Sequence, residues 1–443
     1  MADKLTEVEK FGIEHIPEDQ RHGSPGRVFT LWFAANLTIA DYVIGVLCVL
    51  AFHLTVTQSI PVLVLGNLLG GLMLGLSAAM GPKLGYPQMF ASRSVFGRRG
   101  NYVFGAANWI STAGWFTVNT ILGVEAIEAI APGVGFIPAA VALVGVQVMI
   151  AIYGHDFIHL FEKVMSVVLG ALFLGVLLVS IPRLGEALSF MPAGSSQFPT
   201  LGAIGVVLAV SFSYIMSWSP YASDYSRYLP VDSSTKKVAL YAFAGGAIAS
   251  FGIEMIGAIV GSLTQSFDYF GSLRVLAGSF GPVAVMAIIL GAMAANALNI
   301  YTNSLSTLVL DIRTRRWVAV VVGGLVGLAL AVAGGENFES FFENFLLTLD
   351  YWITPWLAIV LVDFYLLKRT TPESCANARS WEPGTLAIYA ASVLVSVPFM
   401  VPPTPVGGPV GYLSGAFGGA DFSYFISFIV AGSAYLVYRK RRL

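Results

Sequence analysis

Twelve stretches of about twenty apolar residues, separated by short polar segments, constrain this chain more than any other feature. A hydrocarbon layer about 30 Å thick is crossed by a helix of roughly 20 residues, and only a helix or a closed barrel meets its backbone hydrogen bonds there without water. The windows run 28–52, 58–80, 102–130, 136–153, 164–181, 202–222, 236–262, 283–310, 317–333, 344–366, 386–403 and 422–438. Composition agrees, with 56% of the 443 residues hydrophobic and 11% charged, where a soluble chain carries about a quarter charged. A formal charge of −1 offers no broad basic field to nucleic acid. Cys48 and Cys375 stand in different segments, too few and too distant for a disulfide framework or a four-ligand zinc cluster. The expected fold is an all-α integral membrane protein of 12 transmembrane helices, whose partner is the lipid bilayer, with no obligate protein partner and no cofactor.

Lys and Arg gather in cytoplasmic loops. With the N-terminus inside, only Arg183 and Arg274 of the 24 Lys and Arg fall in outer segments, and a span miscounted early would destroy that bias. Both termini are therefore expected in the cytoplasm of a plasma (inner) membrane protein. The organisation reads as a polar tail at 1–27 without a signal peptide, five helices at 28–181, five at 202–366, two more at 386–438, and a basic end at 439–443.

Departures from plain apolar helix carry the functional information. The first span holds Asn36, Thr38 and Asp41 near mid-depth. An ionised Asp there costs at least about 2.5 to 3.5 kcal/mol unless it lines a wet cavity, pairs or binds a cation; the alternative is a protonated acid bonded to a neighbouring helix. Asn108, Thr112, Trp115 and Asn119 of the third span recur at offsets of four, three and four, one helix face. Such a stripe either offers a stacking plane and amides to a flat polar ligand or glues helices together. The sixth span, from Ser211 to Tyr228, contains a run of serines and Pro220, which weaken the helical ladder. Broken helices in matching elements of two halves point to a transporter's site. Helices 1 and 6 are five apart, so an inverted repeat of helices 1–5 by 6–10 is expected. The eighth span carries Asn296, Asn299 and Asn303 on one face, the seventh an intramembrane Glu254 read as a buried hydrogen-bonding group, and His155 and His159 read as interfacial residues rather than a metal pair.

The loop from Met80 to Gly97, the Gly114-Trp115 pair followed by Asn119, the stretch Trp218 to Pro230, Asn299-Ile300-Tyr301, and Pro355 with Asp363-Phe364-Tyr365 resemble the purine-cytosine permease family of nucleobase:cation symporters. The likeness runs from about Phe29 to Arg442 and implies two inverted five-helix repeats plus two extra helices, with helices 1 and 6 broken. It implies a substrate stacked between Trp115 and Trp218 and hydrogen-bonded by Asn119 and Asn299, with Asn296 beside them. Sodium-using relatives carry a hydroxyl pair where Met293 and Ala294 stand here. That favours protons, with Asp41 as the titratable group, while backbone carbonyls near Ala34 and Leu37 leave Na⁺ open. The implied function is secondary active symport of a nucleobase or related planar heterocycle, cytosine, purine, allantoin, hydantoin or thiamine-like. A membrane-embedded enzyme is the reading from another class; HExxH, P-loop and GxSxG patterns for it are missing. A channel finds no ring of like charges.

Overall fold

The computed structural model describes residues 8–193, 199–334, 338–401 and 410–441, without the side chains of 338–344, 346, 347 and 350. Residues 1–7 of the polar tail, 402–403 of the eleventh window and 442–443 of the basic end lie outside the described residues. All regular structure among the described residues is helical. Each window falls on a helix: α1a Gly26–Asn36 and α1b Ile39–Leu50, α2 Val56–Ala78, α3 Tyr102–Ile130, α4 Phe136–Tyr153, α5 His155–Ser180, α6a Thr200–Met216 and α6b Ala222–Ser226, α7 Thr235–Thr264, α8 Gly281–Val309, α9 Arg316–Gly334, α10 Phe338–Leu361, α11 Pro383–Ser396 and α12 Ser423–Lys440. Seven described helices are long and apolar enough to cross a membrane alone, and the α1a–α1b pair makes an eighth. α10 and α11 contribute shorter apolar stretches, Tyr351–Leu367 and Pro383–Phe399.

Two groups of helices share the core. α7 packs on α1a, α1b and α2, and α6a packs on α2; α8 packs on α3, α4 and α9, and α9 on α3 and α4. α5 bridges the groups through α1a and α8, while α10, α11 and α12 pack together at one side. Burial follows this plan. In α6, 78% of the apolar window is buried, against 33% in α5 and α9, whose Val167, Leu174 and Leu325 face outward as lipid-facing side chains do. Gly45 and Gly257 leave no room for a Cβ against the backbones of α7 and α1b, so these two helices meet main chain to main chain, the close approach that small residues permit in membranes.

Candidate binding site at the helix breaks

The first helix breaks where its own side chains compete with the ladder. Asn36 donates back to the Trp32 carbonyl at 2.7 Å, Leu37 leaves helical geometry, and Thr38 is extended, capping α1b by accepting from the Asp41 amide. The axis turns by 56°. Helix 6 is interrupted more gently: after Met216 the chain passes through Ser217 and Trp218 into a tighter turn at Ser219–Tyr221 and resumes as α6b, without a sharp bend. The breaks are tied together. Trp218 Nε1 donates to Asn36 Oδ1 at 3.0 Å, and Thr38 and Tyr214 share a hydroxyl hydrogen bond of 2.5 Å.

Trp115, Asn119, Trp218, Asn296 and Asn299 are all buried. The Trp115 ring stands edge-on to Tyr214 and Phe345, each with centroids 5.4 Å away; Trp218 stands edge-on to Trp32 and Tyr221 at 5.4 and 5.3 Å. Tyr221 donates to Asn299 Oδ1 at 3.1 Å, so the α6 and α8 candidates belong to one chain of contacts. Asn119 donates to the Trp115 carbonyl at 3.1 Å, and among the described residues its buried Oδ1 has no hydrogen-bond partner. Spacing alone could not divide these stripes, but contacts do. Asn108 donates to Ser306 at 2.9 Å, and Asn303 to Thr112 and the Trp109 carbonyl, which makes that end of the stripe α3–α8 glue. Asn296 turns its amide towards the Phe116 carbonyl at 3.0 Å and towards Thr120 and Gln147, and its Oδ1 accepts from Asn299 at 3.4 Å.

Asp41 is not a solitary carboxyl. It lies in the first turn of α1b beside Glu254 and Ser250 of α7, neither oxygen in hydrogen-bond geometry with another described group. Glu254 Oε2 accepts from Asn67 and, at 3.3 Å, from Ser211. At the break itself the Ala34 carbonyl accepts from the Leu37 amide at 3.1 Å, while Gly291 of α8 gives the Leu37 carbonyl space that a Cβ would fill. Met293 and Ala294 bring no hydroxyl to α8.

Residues that sequence reasoning passed over close the end of the bundle that carries the N-terminal tail. Glu9 accepts from Tyr301 at 2.9 Å, from Tyr228, and from the His155 amide at 3.0 Å, and pairs with Arg227 and Arg316 at 3.6 and 3.7 Å. Burial pushes the Glu9 carboxyl up, but the charges of Arg316, Arg227 and His155 outweigh it and hold the group below its usual range. His22 faces Asp156 at 2.7 Å, a hydrogen bond that lifts the imidazole above its usual value. The 80–97 loop locks the same end: Asp224 of α6b accepts from the Gln88 amide at 2.9 Å and from Thr302 at 2.8 Å, and Arg93 and Arg98 both pair with Asp311. One of four glutamates in a polar tail, Glu9 carried no signal for this role.

Residues 15–427 match the family model described as a permease for cytosine/purines, uracil, thiamine and allantoin. The chain is 30% identical to the putative purine-cytosine permease YxlA of Bacillus subtilis, over 98% of this chain and 97% of that protein. It is 25% identical to the purine-cytosine permease FCY2 of Saccharomyces cerevisiae, over 97% of this chain and 85% of that one. Among solved structures it resembles Mhp1, a nucleobase-cation-symport-1 family transporter, in a closed conformation with bromovinylhydantoin bound, with a TM-score of 0.81 at 17% identity over 99% of this chain and 96% of that one. The inward-facing conformation of Mhp1 gives 0.75 at 17% identity, over 98% and 95%. The fold is thus that of Mhp1. A match along nearly the whole sequence and a relative 30% identical over almost its full length place this chain in the family of permeases for cytosine/purines, uracil, thiamine and allantoin, as a multi-pass membrane transporter and not an enzyme.

Proposed function

We propose that the chain imports a nucleobase, cytosine or a purine, by alternating access, using an inward proton gradient. The observation that carries the substrate reading is the buried cluster at the two breaks. It offers two tryptophans, an Asn119 carbonyl oxygen without a donor among the described residues, and Asn299 held by Tyr221. A flat amide or amidine supplies both a π-face to stack and an N–H for the orphan acceptor. Asn296, with its amide turned to α3 and α4, positions Asn299 rather than reading the ligand. The similarity to purine-cytosine permeases from a bacterium and a fungus supports this choice.

The inverted-repeat architecture with twelve spans is supported by helix partnership. Each four-helix group holds members five apart in order, α1 with α6 and α2 with α7, α3 with α8 and α4 with α9. The charge bias supports two cytoplasmic termini in a plasma membrane, which makes the tail-bearing face the inner one. Proton coupling is assigned to Asp41 with Glu254, because neighbouring carboxyls without a cation can hold one proton between them. The Leu37 carbonyl at the break favours a second reading, Na⁺ on main-chain oxygens. Uptake of one labelled base in proteoliposomes, competed by excess cytosine, adenine, hypoxanthine, uracil, allantoin, a hydantoin and pyridoxine, tests the substrate. Competition by none of the nucleobases would overturn the reading.

A further inference from the structure

Beyond transport itself, we propose that the tail-bearing face holds a divalent transition-metal site built from His22, His155 and Asp156. Neutral rings cannot satisfy the oxygens gathered there. His22 has the Gln20 carbonyl 2.9 Å from Nδ1 and Asp156 Oδ1 2.7 Å from Nε2. His155 has the Tyr225 carbonyl 3.1 Å from Nε2 and the same Asp156 oxygen 3.1 Å from Nδ1. Carbonyl and carboxylate oxygens only accept. Each ring must therefore donate from both nitrogens, which puts two imidazolium charges on one carboxylate oxygen, or the two inner nitrogens face a shared cation.

The second arrangement matches how metal-binding histidines are built. A backbone carbonyl holds one ring nitrogen as N–H and leaves the other lone pair aimed inward. The three ligand atoms lie within 4.8 Å of one another, and a tetrahedral ion with bonds of about 2.0 to 2.1 Å needs its ligands roughly 3.4 Å apart, so each pair would adjust by at most about 1.4 Å, within reach of side-chain rotation. His155 is fixed by stacking on Tyr228, centroids 3.9 Å apart. A cleft of about 170 Å³ bordered by Glu9, Lys10, Gln20 and Tyr153 opens beside the three side chains. It has room for a water as fourth ligand, whose share of liquid volume is about 30 Å³. Two imidazoles, one carboxylate and an open position suit Zn²⁺ or a neighbouring first-row ion, and not Mg²⁺, which prefers oxygen ligands. His159, one turn along α5, points at the Tyr225 carbonyl and is no member of the set. Bound metal would pin the tail, through His22, to the start of α5.

The test is Zn²⁺ titration by calorimetry of the chelator-stripped full-length protein in detergent at about pH 7.5, where free imidazole is mostly neutral. One saturable Zn²⁺ per chain, unaffected by millimolar Mg²⁺, is expected. His22→Gln and Asp156→Asn should each weaken it by about 100-fold or more, exceeding the 10- to 100-fold typical of an outer-shell loss. His22→Cys, which restores a ligand, and His159→Gln should retain it. Thermal melts with and without Zn²⁺ give the independent measure, since a ligand that binds only the folded state raises the melting temperature: the wild type should rise and His22→Gln should not. No saturable binding, or equal binding by wild type and His22→Gln, would overturn the site whatever the transported substrate proves to be.

Discussion

Mid-depth and tail-bearing face use polar groups in opposite ways. At mid-depth, Asn119, Asp41 and Glu254 keep acceptor oxygens without a donor among the described residues. At the face, Glu9 makes contact at once with α5, α8, α9 and the segment after α6b. Unfilled acceptors in a low-dielectric interior are costly, and under the proposed function they are the groups that would exchange partners with ligand and proton. A buried network of ion pairs is costly to open one member at a time, so it suits a gate that is shut or released as a unit.

The sharpest break of this contrast is chemical. Asp41→Asn should abolish accumulation driven by an imposed inward proton gradient in proteoliposomes while counterflow exchange of labelled base survives. Accumulation that follows a Na⁺ gradient and ignores pH would move coupling to the carbonyls near Ala34 and Leu37.

Next in size is the gate. Glu9→Gln removes the counter-charge of the fully buried Arg227, a loss of about 3 to 5 kcal/mol when a buried pair is broken, and should free the tail backbone for faster tryptic cleavage after Lys10. Tail protection depends on pH through two groups of opposite sign. Glu9 is held low in the folded state, so its contribution is present above its ordinary value and disappears as pH falls through the lowered one. In metal-free protein His22 is held high, so its contribution is complete below its ordinary value and disappears as pH rises through the raised one. Protection should therefore fall at both acid and alkaline ends; a flat profile would remove these groups from the gate.

Smaller effects sharpen the mid-depth side. Trp115→Ala should lose about 1 to 3 kcal/mol of stacking, raising the apparent uptake constant about 5- to 150-fold at unchanged membrane abundance. Unchanged affinity would remove the ring from the clamp. Asn119→Ala and Asn299→Ala should each weaken binding by about 0.5 to 1.5 kcal/mol, roughly 2- to 12-fold, and alter the ranking of competing bases. Asn303→Ala should lower protein yield and leave that ranking alone, because its amide donates to α3. Equal changes in ranking from all three would dissolve the distinction between reading and glue.

Sequence by itself determined which segments are helices, because a twenty-residue apolar run in lipid has hardly another way to satisfy its backbone. It also located the sixth-helix break, since the serines around Pro220 act on their own ladder within a turn, whereas the first-helix break was implied by the family resemblance and the structure puts it at Leu37 and Thr38. Spacing put Trp115 and Asn119 on one face, and Asn299 and Asn303 on another. What faces those stripes was decided only by the tertiary structure. Asp41 and Glu254 are 213 positions apart and meet because Gly45 and Gly257 let α1b and α7 touch. Asn299 and Asn303 differ in role because one faces Tyr221 and the other Thr112. Glu9 becomes a latch because four distant elements converge on it. Helical periodicity is local and survives in the order of residues, whereas the partner of a buried polar group depends on which helices the packing brings together.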